Sequence, residues 1–200
     1  MLSKLRNQFV PYAVVLAVLS GCAPLTTQSP EGSLRPLNAV ADGDDKHLML
    51  FGHDVVAYFT ENKHRKGDPA IKSVIDNVTF RFATQEHKAL FDKEPSRYIP
   101  QYNGYCANGI VYGIPWGGDA DSWRIINGKL YNFGGKGSRD GFYVDLPRNI
   151  ALADKYWNDE VKGSNAFTQR VIRFILNRVP HYKSGEELAE EVRRTGGGKS

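Results

Sequence analysis

The stretch "IKSVIDNVTFRFATQEHKALFDKEP", residues 71–95, decides the fold class. Residues 71–75 and 78–82 are short β-prone runs joined by Asp76 and Asn77, which both tolerate positive φ; this is hairpin chemistry. Thr84 then predicts an N-cap for a helix over Gln85–Lys93, with Glu86 in its first turn and Pro95 beyond its end. Leu90 and Phe91 are expected to face the hairpin. A second hairpin follows downstream: 123–126 and 129–133 flank Asn127-Gly128, the strongest short hairpin signal. Asp145 predicts the cap of a helix over 147–157, with Pro147 near its first turn. The reading is α+β: a small domain of β-hairpins, each followed by a helix, with a helical extension at the C-terminus. No internal repeat is read from the letters.

Outward from the hairpins, the two ends differ from the middle. Lys4 and Arg6 precede a mostly apolar run, 9–19, too short to span a bilayer. It ends in "LSGC", residues 19–22. Small residues before a cysteine directly after such a run fit a bacterial lipoprotein signal over 1–21, with Cys22 lipidated. A plain secretory peptide is the alternative. Lipid on Cys22 would hold the protein to a membrane without a spanning helix. Ala23, where inner-membrane retention would call for Asp, favours the outer membrane, with the domain facing the periplasm. Residues 22–46, rich in Thr, Ser, Pro, Gly and Asp, read as a flexible tether. The globular part is expected from His47 to about residue 160.

The formal net charge is +4 and falls to about +2 once Lys4 and Arg6 leave with the signal. That near-balance argues against nucleic acid as a partner. With Cys22 lipidated, Cys106 has no intramolecular partner, so an apolar core rather than a disulfide must hold the fold.

In the tail, 161–200, Phe167, Val171, Phe174 and Ile175 recur at helical spacing with Arg170, Arg173 and Arg178 between them. A helix packed on the domain, arginines in solvent, is the first reading; a membrane-surface or partner-binding helix is the alternative. Ser184 and Glu187 predict a capping box for a last helix.

Five segments in order, "GHDVVAYF" (52–59), "TFRFATQEHKALFDKEPSRYIPQY" (79–102), "NGYCANG" (103–109), "DSWRIINGKLYNF" (121–133) and "DLPRNIALADKYW" (145–157), resemble the YHS domain, in its bacterial subgroup. The resemblance covers about residues 48–160. It implies a small α+β unit and a suspected role in metal binding. At the positions that match the family's suspected ligand cysteines this chain has Ala57, Ala83 and His87, so a soft-metal thiolate cage is not available.

The donors that remain are Cys106 and five histidines, none at a recognised metal spacing. His53 with Cys106 is the candidate transition-metal pair, since both lie in the best-matched segments. Taken singly, Cys106 reads first as a small buried residue, and otherwise as a ligand or a reactive thiol. Tyr58, Tyr102 and Tyr105 make the candidate ligand pocket. His64 reads as a loop residue and His87 as a helix-surface residue. Asp119 and Asp121 read as turn formers, and "NFGGKGSRDG", 132–141, as a flexible surface loop. No Ser-His-Asp order or paired-carboxylate motif emerges. The expected function is a membrane-anchored periplasmic binding protein for a metal or small ligand. A scaffold lipoprotein with a protein partner on its C-terminal helices, or a thiol-dependent enzyme using Cys106, are the alternatives.

Overall fold

The computed structural model describes residues 34–196. The signal over 1–21, Cys22 and the first half of the tether lie outside the described residues. Strands β1 (Ala39–Asp42) and β2 (Asp45–Met49) pair antiparallel, as do β3 (Asp68–Ile75) and β4 (Val78–Phe82). A parallel contact between β2 and β4 joins the hairpins into one sheet, ordered β1-β2-β4-β3. The β3–β4 turn puts Asp76 and Asn77 at φ 48° and 63°, the left-handed conformation that a tight hairpin requires. A short helix α1 (Ala57–Thr60) precedes this hairpin and α2 (Gln85–Lys93) follows it. The Thr84 side chain accepts a hydrogen bond from the amide of His87 at 3.1 Å. Phe91 of α2 packs on Phe80 and Phe82, with ring centroids 4.7 and 5.1 Å away. Leu90 does not join it and is 40% exposed. Successive helical residues point about 100° apart, so only one of the two can face the sheet; the buried face is His87 with Phe91.

The tether is shorter than expected. Leu37, Asn38 and Ala39 are buried, and β1 opens the sheet. Asn38 donates to the carbonyls of Gly104 (2.8 Å) and Gly118 (2.9 Å). Asp42 and Asp45 hold Arg81 of β4. Composition alone hid this, because those acids look solvated until their distant arginine is placed.

After α3 (Pro95–Tyr98) and α4 (Ala107–Ile110), β5 (Asp119–Ile126) and β6 (Lys129–Phe133) form a separate two-stranded sheet. Asp119 and Asp121 thus belong to a strand rather than a turn. Helices α5 (Lys136–Phe142) and α6 (Leu146–Tyr156) follow. The "GGKGSRDG" segment is therefore ordered: Phe142 is fully buried and Lys136 pairs with Asp140 one turn on. Asp145 caps α6, accepting from the Arg148 amide.

The C-terminal extension is helical, with α7 (Ala166–Val171) running into a π-helical turn (Ile172–Leu176) and α8 (Gly185–Thr195) closing the described chain. The Ser184–Glu187 capping box is formed. The packing of α7 reverses the expectation. Its buried residues are Ala166, Gln169 and, one turn on, Arg173, while Phe167, Ile172, Phe174, Ile175 and Leu176 are exposed. Arg173 reaches Glu160 through Nε at 2.7 Å, and Gln169 donates to the Gly113 carbonyl at 3.2 Å. Specific polar partners on the domain pull the polar face inward.

A repeat that the letters conceal emerges in the backbone. Asp68 pairs with Phe82, Lys72 with Arg81 and Ile75 with Val78; 51 positions later Asp119 pairs with Phe133, Trp123 with Asn132 and Ile126 with Lys129. Both ladders break at the corresponding place. Upstream, Leu50, Phe51 and Gly52 have φ of 44°, 57° and 76°, and 52 positions on Tyr102, Asn103 and Gly104 have 54°, 50° and 81°. The bridges His53–Lys66 and Tyr105–Gly117 follow these two turns. Phe80, Phe82 and Phe91 of one unit correspond to Tyr131, Phe133 and Phe142 of the other, and each trio sits in its own apolar cluster. Gly67 and Gly118 correspond too. A Cβ on the first would lie 2.5 Å from the Arg81 backbone, and one on the second 2.5 Å from the Gly104 carbonyl.

Candidate functional site

The repeat places Asp54 and Cys106 in one setting. Asp54, fully buried, accepts from the amides of Val56 (2.9 Å) and Ala57 (3.3 Å), two and three residues on, through one oxygen. Its other oxygen takes the Ala83 amide and His87 Nδ1, both at 2.7 Å. The carboxylate only accepts, so Nδ1 carries the proton. His87 Nε2 lies 3.1 Å from the Thr60 hydroxyl, completing a chain from a buried carboxylate to an exposed side chain. His87 is 8% exposed, which corrects its reading as a surface residue. The overlooked signal is Asp54 itself, an acid three residues ahead of a short helix, whose carboxylate accepts from the amides that open it.

Around Cys106 the donors are the amides of Asn108 and Gly109, again two and three residues on, with the Gly134 amide and the Ser138 hydroxyl. Gly134 and Ser138 stand where Ala83 and His87 stand in the first unit. Burial pushes the Cys106 thiol up, and these donors oppose that rise without reversing it. At 3% exposure the sulfur is a packed thiol and not an open nucleophile.

The two candidate metal ligands, His53 and Cys106, have different hydrogen-bond partners. His53 Nδ1 bonds the Leu50 carbonyl at 3.0 Å, and its ring lies 5.9 Å from that of His64. Burial lowers the His53 pKa, with Lys66 and His64 adding to the effect. The groups that act on Cys106 are different ones: Gly109, Gly134, Asn108 and Ser138. Among the described residues no three His, Cys, Asp or Glu side chains converge as a metal site would require. The three tyrosines do not line one pocket either. Tyr58 donates to the Ala120 carbonyl (2.7 Å), Tyr105 to that of Leu37 (3.0 Å) and Tyr102 to the Asp154 carboxylate (2.9 Å). Each is an apolar body with its hydroxyl satisfied in a different place.

A different feature is a cleft of ≈ 320 Å³ between α6 and the tail. Tyr112, Arg148 and Asn149 line one side, and His181, Lys183 and Glu191 the other. The His181 ring stacks on Tyr112 and Tyr156, with centroids 5.8 and 5.9 Å away, and its Nε2 donates to the Val111 carbonyl at 3.0 Å. Lys183 is held by Glu191. Burial, helped by Glu191, pushes the Tyr112 hydroxyl up to about 12, so it is a neutral donor. Arg148 has no carboxylate partner among the described residues. The cleft thus offers stacked rings, neutral donors and acceptors, and one uncommitted guanidinium. Sequence reading missed it because its residues come from three separated segments that only the fold brings together. No protein family, no curated protein and no solved structure matches this chain.

Proposed function

We propose that this is a non-enzymatic binding protein of the bacterial cell envelope, anchored through lipid on Cys22. It holds a small polar organic molecule with an acidic group in the cleft between α6 and the C-terminal tail. The cleft carries the reading. Its ≈ 320 Å³ lies at the small end of the range for small-molecule sites, and its walls pair stacked rings with a few polar groups. Arg148 is suited to a carboxylate or phosphate. The address rests on the "LSGC" segment and its basic, apolar lead. A metal as ligand is the weaker form of the proposal, since the donor set does not converge. The buried, raised thiol of Cys106 counts against a thiol enzyme.

The test is a thermal-shift screen of small carboxylates and phosphates against the full chain, with affinities for any hit measured in Arg148→Ala and His181→Ala. Loss of an anchoring charged hydrogen bond weakens binding by about tenfold or more. A panel without a hit, or hits that both variants bind as tightly as the parent, would sink the proposal.

A further inference from the structure

A helix that packs on a domain in water turns its apolar face inward. The segment 166–178 does the reverse. Ala166, Gln169 and Arg173 face the domain, while Ile175 and Leu176 are 68% and 74% exposed, with Phe167, Ile172, Phe174 and Trp116 around them. Trp116 meets Phe174 edge-on at 5.8 Å, so its exposed ring adjoins this apolar helical segment. Contiguous exposed apolar surface of this kind marks an interaction site.

Charge selects the occupant. Residues 161–179 hold four basic residues, Lys162, Arg170, Arg173 and Arg178, and no acidic one. Arg173 is taken up by Glu160. Arg170 lies over the Trp116 ring, and Arg178 lies over Phe174 and Tyr182. Neither has a carboxylate partner among the described residues. Their Nε atoms donate to the Pro115 and Phe174 carbonyls at 2.9 and 3.0 Å, which leaves the charge itself without a counter-ion; apolar side chains flanked by aromatic rings and such arginines are the makeup of a helix at a bilayer surface, where guanidinium groups meet phosphates. The chain entering the domain also passes here, since the Gly163 amide donates to the Arg35 carbonyl at 2.8 Å. A tether from a lipidated Cys22 would deliver this face to the membrane.

We propose that the 166–178 face, with Trp116, lies on the surface of an anionic phospholipid bilayer. This second contact would fix how the domain stands on the membrane. The patch argument is independent of the cleft; only the delivery step rests on the reading of Cys22. Amide hydrogen exchange of the full chain tests it, in solution and on vesicles of phosphatidylcholine alone or mixed with phosphatidylglycerol. Exchange over 166–178 is expected to slow on the mixed vesicles, with β3 and β4 unchanged. In an Ile175→Glu/Leu176→Glu variant that slowing is expected to vanish while core exchange stays native, which shows that the variant folds. Co-sedimentation reads any N-terminal anchoring separately, so its presence or absence leaves the patch result standing. No slowing on the mixed vesicles, slowing retained in the variant, or concentration-dependent slowing without lipid (a second copy as occupant) would each overturn the proposal.

Discussion

At the scale of single residues, the most consequential charge is Arg81. Its guanidinium is buried in β4 and gives Nε and Nη2 to Asp45 at 2.8 and 2.6 Å and Nη1 to Asp42 at 2.6 Å. Lys72 adds a bond to the other Asp45 oxygen at 2.7 Å. Burial alone would push the Asp45 carboxyl up, but the hydrogen bonds and charges of Lys72 and Arg81 outweigh it and hold the group below its ordinary value of 3.8. A depressed carboxyl contributes stability that is present above the unfolded value and lost as pH falls through the folded one. The contribution therefore disappears below about pH 3.8 and not near neutrality. Asp45→Ala leaves the buried guanidinium with Asp42 alone, so it is expected to cost about 2 kcal/mol at pH 7. Between about pH 5 and pH 2.5 the parent should lose more stability than the variant. Chemical denaturation at both pH values checks this, and parallel acid sensitivities would refute it.

At the scale of elements, α5 shows what a sequence conceals and why. Four glycines in ten residues read as a loop, because glycine disfavours helix by about 1 kcal/mol per residue relative to alanine. The helix forms because tertiary contacts prevail: Phe142 enters the second core, and Gly141 lets Leu188 of α8 approach. A Cβ on Gly141 would lie 2.5 Å from Leu188 Cδ2, whereas Gly137 has open space around it. Gly137→Ala is thus expected to stabilise by about 0.5 kcal/mol. Gly141→Ala is expected to cost about 1–3 kcal/mol and to loosen α8 from the cleft. Adding Leu188→Ala should recover part of that loss. Thermal melts with limited proteolysis of α8 read both effects, and a Gly141→Ala protein with native α8 protection would contradict them. By contrast, the β3–β4 turn, the Thr84 cap and the Ser184 capping box were legible, because each is written within four residues and needs no distant partner.

At the scale of the molecule, two copies of one backbone unit have been completed differently. The first is extended by the β1–β2 hairpin, whose acids hold Arg81. In the second, Asn132 stands at the corresponding place, no such hairpin is added, and α6 to α8 cover the core instead. The sequence hid this duplication because little beyond aromatic character and hairpin turns is shared; register and left-handed turns are backbone properties that many side chains satisfy. The donor nests are the sharpest trace of it. One holds a carboxylate paired with a histidine, the other a thiol beside a serine, with amide donors from corresponding positions. If the nests are equivalent, the first pair can be transplanted into the second site. Cys106→Asp alone places a buried carboxylate without its histidine partner and is expected to destabilise. Adding Ser138→His supplies that partner from the position matching His87, a half-buried site. The double variant should therefore be more stable than the sum of the single changes predicts, by about 1–3 kcal/mol of coupling in a double-mutant cycle measured by denaturant unfolding. Additive single changes would mean that the two nests share a backbone outline but not a function for the group they enclose.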